Sequence, residues 1–406
     1  MTAPQRPRQS DLRGAVRLAT DATTGLTDLI EAMHERIARL PGQSAAASDG
    51  RAGGISGLVY QTIRGVTRVV GGSIEALLGL LAPALSNEAP SPEREAIVAA
   101  LNGVLGDYLV ATNNPLATPM ALRSGGRTLP QGAGAIAAQL PHAGGSVALL
   151  LHGLCMNDLQ WSRTTSNGTH DHGAALARSL GFTPLYLRYN SGLHISINGH
   201  ALAHLLERFF EEWPQPLQRL VLLGHSMGGL VARSALHCAT QAGQRWPARL
   251  SDMLFLGTPH HGAPLERTGH WVDIVLGATP YAAPFARLGK VRSAGITDLR
   301  HGNLLDEDWV GRDRFARGPD RRQPVPLPDS VRCFAAAACL GQHSDALKGR
   351  LLGDGLVPQD SAMGCHADPA RALGFREDRQ WVGYGMSHLD LLSRPEVFAQ
   401  LERWLA

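Results

Sequence analysis

Residues 224–228 read Gly-His-Ser-Met-Gly, with the apolar run RLVLLGH (219–225) in front and the helical pattern MGGLVARSALHCATQ (227–241) behind. A serine at a sharp strand-to-helix turn is held in a strained backbone conformation that presents its hydroxyl, and the crowding requires small neighbours. The helix that follows points its free N–H groups and dipole at the serine, which favours developing negative charge. Ser226 is therefore a candidate nucleophile. The competing reading is a small residue in a tight turn.

A serine hydroxyl is a weak nucleophile and needs a base, a histidine oriented by a carboxylate. In strand–turn–helix sites the acid follows the serine along the chain and the histidine comes last. That order prunes the 17 histidines sharply. Asp354 lies in GDGLVP (353–358), where glycines permit a turn that aims the carboxylate; Asp345 and Asp360 compete with it. Beyond Asp354 stand only His366 and His388. His388 follows the strand-like QWVGY and precedes the last helix, whereas His366 reads as a polar residue in the loop GCHADP. Two backbone N–H groups should form an oxyanion hole, from Met227 and from Leu154 at the end of SVALLLHGL (146–154), with Cys155 the alternative to Leu154. Cys155 itself reads as a packed small residue. His170-Asp171-His172 has the spacing of a loop and helix cap, so a metal is not expected there.

These residues need a frame, and the hydrophobic pattern supplies one. From about residue 113, apolar runs (SVALLLHGL, TPLYLRYN, RLVLLGH, DMLFLGTP, SVRCFAAAACL) alternate with helical stretches at 170–181, 199–213, 227–241 and 395–406. Such alternation implies right-handed crossovers and a mostly parallel sheet covered on both faces, with the ligand beyond the carboxyl ends of its strands. Residues 1–112 differ: they show helical periodicity, including a stretch from Pro92 to Leu109, and no strand signal. We read residues 1–112 as a helical extension packed on the main domain or on its own copy, the alternative being an interfacial helix that touches lipid. Residues 113–406 form the α/β domain. A long insertion, 264–329, has the character of a lid or cap, and its Trp271, Ile274, Val275, Tyr281 and Phe285 are candidates for an acyl-binding wall.

Composition narrows the function classes. Of 406 residues, 38 are basic and 35 acidic, a near balance that gives no electrostatic reason to bind nucleic acid. Lys290 and Lys348 are the only lysines, so nearly all the positive charge is arginine. The five cysteines are odd in number and show no metal-ligand spacing, which suggests free thiols in a reducing compartment. MTAPQRPRQSDLRG leads into no apolar stretch, and the segment 55–85 carries Arg64, Arg68 and Glu75. Neither a secretion signal nor a membrane span is expected, and the expected location is the cytoplasm, with peripheral membrane contact through residues 1–112 as the variant.

Taken together, HGL, GHSMGG, GTPHHG (257–262), GDGLVP and SHLDLL stand in the order and spacing of α/β-hydrolase lipases and esterases. GTPHHG in particular resembles the bacterial lipases and the GPI-inositol-deacylase-like (PGAP1-like) hydrolases. The resemblance covers roughly residues 113–406. It implies the α/β-hydrolase fold, a Ser226–Asp354–His388 triad, and cofactor-free hydrolysis of a small-molecule or lipid ester with an apolar acyl group. A thioesterase or an intracellular polyester or phospholipid hydrolase would use the same residues. The reading of another class is a non-catalytic scaffold, or a docking or oligomerisation module in residues 1–112. No calcium-binding pair of aspartates is evident, which with the missing secretion signal argues against an extracellular fat-digesting role.

Overall fold

The computed structural model describes residues 92–165, 168–263, 293–314, 320–342 and 353–406. Helix α1 (Pro92–Ala111) leads into a hairpin of β1 (Ala121–Ser124) and β2 (Arg127–Thr128), a short α2 (Ala133–Gln139), and β3 (Ser146–Leu151). A separate small hairpin, β4 (Arg163–Thr165) and β5 (Gly168–His170), precedes α3 (His172–Leu180). Then β6 (Thr183–Arg188), α4 (Ile195–Glu212), β7 (Arg219–His225), α5 (Met227–Gln241) and β8 (Leu250–Leu256) alternate. Short α6 (Ala294–Asp298), β9 (Arg332–Cys339), α7 (Gln359–Ala362), β10 (Gln380–Tyr384) and α8 (Pro395–Leu405) complete the described chain.

Eight strands form one sheet in the order β10-β9-β8-β7-β3-β6-β1-β2. The six strands from β10 to β6 pair in parallel, and only the β1–β2 hairpin at one edge is antiparallel. Right-handed crossovers put α3 and α8 on one face, where they touch, and α4 and α5 on the other, packed on each other. Covered on both faces, the central strands are apolar throughout: Val147 to Leu151 and Leu220 to Leu223 are all buried. Burying each such side chain contributes about 1.5–3 kcal/mol. At the amino ends, fully buried Asp252 takes hydrogen bonds from Arg219 of β7 at 2.9 Å and Arg332 of β9 at 2.6 Å, tying three strands together.

The expected parallel sheet of an α/β-hydrolase fold is thus present, with two differences in detail. Strand β3 stops at Leu151, so His152-Gly153-Leu154 is a turn beyond the strand rather than its end. The helix expected over 92–109 belongs to the same core as the sheet: its Ile97, Ala100, Leu101, Val104 and Leu109 are fully buried there, upstream of the boundary expected at residue 113. Residues 1–91, which hold the rest of the expected helical extension, lie outside the described residues. So do 264–292, and with them Trp271, Ile274, Val275, Tyr281 and Phe285. The described remainder of the expected lid, from Ser293 onward, packs into the domain through Ile296, Leu299, Leu304 and Leu305. Among the described residues no helix is long and apolar enough to cross a membrane.

Candidate active site

Strands β3 and β7 are neighbours, but the chain leaves β3 toward β6 and leaves β7 toward β8. That reversal opens a crevice beyond their carboxyl ends. Leu151 pairs with Gly224, so His152-Gly153-Leu154 and His225-Ser226-Met227 emerge side by side.

Ser226 has φ 54° and ψ −125°, a region that costs a non-glycine residue on the order of 1–3 kcal/mol. The surroundings enforce it. The Ser226 N–H continues the sheet ladder to the Leu256 carbonyl at 2.8 Å, and α5 starts at the next residue. The glycines of the motif answer to close approach. A Cβ on Gly224 would lie 2.5 Å from Gly229 Cα, and one on Gly228 would lie 2.3 Å from the Leu151 carbonyl oxygen. Gly229 does more than add room: a Cβ there would strike Thr258 Oγ1 of the GTPHHG loop.

Asp354 and His388 come together as expected. Asp354 follows β9 in a turn between Gly353 (φ 54°) and Gly355 (φ 95°), both left-handed as the tight turn demands. Its Oδ1 accepts the N–H groups of Leu356 at 3.0 Å and Val357 at 2.8 Å, which fixes the carboxylate. Its Oδ2 accepts from His388 Nδ1 at 2.5 Å, and the His388 N–H donates to the Asp354 carbonyl at 3.2 Å. With the proton on Nδ1, the other ring nitrogen, Nε2, is left as a base. Among the described residues no hydrogen bond joins His388 to Ser226; such bonds commonly tighten only when substrate is bound. Proximity comes through His225, whose ring lies 4.7 Å from that of His388 and whose Nε2 donates to the His388 carbonyl at 3.2 Å.

The turn after β3 is built to hold its N–H groups in place. The Met156 N–H closes it onto the Gly153 carbonyl, with Cys155 at φ 60°. Cys155 donates its N–H to Ser191 Oγ at 3.0 Å, so of the two candidate donors on this side its N–H is committed elsewhere. Neither the Leu154 nor the Met227 N–H has an acceptor among the described residues. Tyr189 donates its hydroxyl to the His152 carbonyl at 2.7 Å and stacks on the His152 ring at 4.2 Å. A Cβ on Gly153 would come within 3.1 Å of Ser226 Cβ, so the turn abuts the serine directly.

Other candidates fall away. His366 lies tilted against His261, 4.8 Å between ring centres, and accepts from the Asp368 N–H rather than meeting Asp354. Asp360 lies on α7, and Asp345 lies outside the described residues. Asp171 caps α3 by accepting the Ala174 N–H, and among the described residues no group of side chains could hold a metal ion. Cys155 is fully buried, and burial pushes its thiol up to about 12.

Three features carried no usable signal in the sequence. His225 occupies a position of the serine motif that takes any residue, yet it is buried against His388, and burial together with the His388 ring holds its pKa well below the ordinary value. His172, expected as part of a cap, reaches Leu391 O with Nε2 at 2.9 Å and so braces the turn that carries His388. Gly257 of GTPHHG (φ 58°) leaves room for that imidazole, since a Cβ there would lie 2.9 Å from His388 Cε1.

Residues 142–321 match the family model of the PGAP1-like alpha/beta domain. Among solved structures, the chain is similar to the mature lipase BlEst2 of Bacillus licheniformis, at 19% identity and TM-score 0.40, over 64% of this chain and 92% of that one. It is also similar to the Pyrobaculum calidifontis esterase, at 12% identity and TM-score 0.37, over 64% and 75%. A third is the RedJ thioesterase of the prodiginine pathway in Streptomyces coelicolor, at 14% identity and TM-score 0.35, over 65% and 91%. No curated protein matches by sequence. Strand order and family match agree on an α/β-hydrolase type of fold, a mostly parallel sheet covered on both faces, and the match to the PGAP1-like alpha/beta domain is confined to residues 142–321.

Proposed function

We propose that this protein is a serine carboxylic-ester hydrolase working through an acyl-enzyme on Ser226. One observation supports the reading above the rest: a strained serine, a histidine already oriented by a buried carboxylate, and two uncommitted backbone N–H groups converge in one crevice.

In this mechanism His388 Nε2 takes the Ser226 hydroxyl proton as Oγ attacks the ester carbonyl. The carbonyl electron pair moves to oxygen, which the Leu154 and Met227 N–H groups and the N-terminus of α5 stabilise. The tetrahedral intermediate collapses as His388 returns the proton to the leaving alcohol, giving an acyl-serine. Water, deprotonated by His388, repeats the sequence and releases the acid. Asp354 stays ionised, fixes the imidazole tautomer and stabilises its charged form.

The test is hydrolysis of p-nitrophenyl esters of increasing chain length, with thioesters in the same panel, by the full chain and by Ser226→Ala. The variant should lose on the order of 10⁶ in kcat without losing stability. It should also resist a fluorophosphonate probe that labels the parent protein. Near-parental turnover by Ser226→Ala would remove the assignment.

A further inference from the structure

Residues 294–303 are wedged between the loops that leave β6 and β8. The Gly295 N–H donates to Gly192 O, and the Ala263 N–H donates to Leu299 O. They therefore lie at the carboxyl edge of the sheet, the edge that also carries Ser226. A cavity of about 330 Å³ opens there, walled by Arg300, Arg312, Arg314, Arg321 and Arg322 against three carboxylates, Asp298, Asp308 and Asp313. The volume is at the small end of ligand sites.

The charges in this wall do not cancel locally. Asp308 is committed to backbone, accepting the N–H groups of Leu304, Leu305 and Gln323. Asp298 is committed to the Ile195 N–H, to Asn303 and to His194. Arg314 pairs with Asp107, outside the wall, and Arg322 is held by Asp320 at 2.8 Å. The guanidiniums of Arg312 and Arg321 have no hydrogen-bond or ion-pair partner among the described residues. Beneath the cavity the excess continues. A small void of about 20 Å³ shares Arg322 and Asp308 with it and adds Arg233 and Arg371. Arg233 is only 6% exposed and has no carboxylate partner among the described residues. It donates to the Val325 carbonyl and to His260 Nδ1, while its Nε has no acceptor. Burial, with the charge of Arg322 added, lowers its pKa to about 9. Guanidiniums in a concave, partly dry site present a forked set of donors matched to a tetrahedral oxyanion, and the low local dielectric strengthens the attraction.

We propose that this cavity binds a phosphate-type oxyanion, with Arg312 and Arg321 as the binding residues and Arg322 as the fixed floor. The anion is either free inorganic phosphate or the phosphoryl group of a larger ligand. The binding claim stands apart from the ester-hydrolase reading, because it needs nothing from Ser226.

The experiment titrates inorganic phosphate into the full chain by calorimetry and thermal shift, against chloride at matched ionic strength. Phosphate should bind saturably and raise Tm where chloride does not. The double substitution Arg312→Ser/Arg321→Ser should weaken phosphate at least about tenfold and leave the phosphate-free Tm unchanged, because neither side chain holds the fold. Arg127→Ser, on the edge strand β2, should bind phosphate like the parent. Equal shifts with chloride, or unaltered phosphate binding by the double variant, would overturn the proposal. A second arm measures kcat/KM of the double variant on a neutral ester and on a phosphorylated ester. A loss confined to the phosphorylated ester makes the ligand part of the substrate, and equal rates make it free phosphate. If no ester is turned over at all, the hydrolase reading fails while the phosphate titration still decides this one.

Discussion

Among the described residues there are two buried aspartate–histidine pairs, and one of them stands beside a serine in strained backbone. Asp354 accepts from His388 Nδ1 at 2.5 Å, beyond β9 and β10. Asp298 meets His194 Nδ1 at 3.0 Å, at the start of α4. By residue type and burial they are near twins. Their surroundings separate them. The His194 ring is covered by Trp309, 3.7 Å between ring centres, and Asp298 also accepts the Ile195 N–H at the head of α4. That pair pins a helix to a loop. His388 instead packs on His225, next to a serine in strained backbone. An oriented imidazole is thus not a catalytic feature by itself; what lies against its second nitrogen decides.

The largest expected effect is kinetic. Asp354→Asn should lower kcat by about 10⁴-fold, because the amide favours the wrong imidazole tautomer while keeping the shape. Asp298→Asn should leave kcat within about threefold, since it touches neither serine nor oxyanion donors. Steady-state rates on one ester decide it, and equal losses in both variants would dissolve the distinction.

Stability should reverse the order. Asp298→Ala leaves the Ile195 N–H and His194 buried without their acceptor, a cost of about 3 kcal/mol in urea unfolding. Burial holds the Asp298 carboxyl above its ordinary pKa, with His194 pulling the other way. Ser226→Ala should instead be neutral or slightly stabilising, as the strain at φ 54° belongs to the backbone and remains.

How much of this could be read from the sequence depends on how local each cause is. Ser226, Asp354 and His388 were legible because turn chemistry is local: glycines beside a serine, glycines beside an aspartate, a histidine between strand and helix. Leu154 and Cys155 stood as alternative donors in the sequence, and what distinguishes them, the Cys155 N–H bond to Ser191 Oγ, spans 36 residues and leaves no sequence trace. The same holds for α1. Its periodicity announced a helix, but a Cβ on Gly103 would meet Cys155 Sγ at 2.2 Å, so its glycine face docks on the oxyanion turn. Only the folded chain brings α1 and the turn after β3 together. His194 and Asp298 are 104 residues apart, with nothing in either neighbourhood to announce the pair.

Acid should act on the surroundings of Ser226 through histidines that must stay neutral. His152 and His172 are fully buried, and burial lowers them to about 4 and about 3. Their folded pKa values lie below the ordinary 6.5, so the stability they contribute is complete above pH 6.5 and is lost as pH falls toward 4 and 3. Each should cost about 2.5 kcal/mol between pH 7 and pH 4.5. Urea melts at pH 7 and pH 4.5 should show the slope, and His172→Gln should flatten it by one proton. An unchanged slope would mean that His172 is protonated in the folded state.

The smallest expected effect bears on what holds His388 beside Ser226. His225 donates to the His388 carbonyl and lies against its ring, whereas at His194 the covering ring is Trp309 and the carbonyl accepts the Asn198 N–H. His225→Leu should lower kcat about tenfold with KM unchanged, because the donor that fixes the His388 backbone is gone while the volume is filled. His225→Gln retains a donor and should recover most of that loss. The pH profile separates positioning from simple packing. A neutral, uncharged His225 adds no charge beside His388, so the acid limb of kcat should keep its midpoint in both variants while its height changes. A midpoint that moves in His225→Leu would mean that His225 acts on the basicity of His388 rather than on its place.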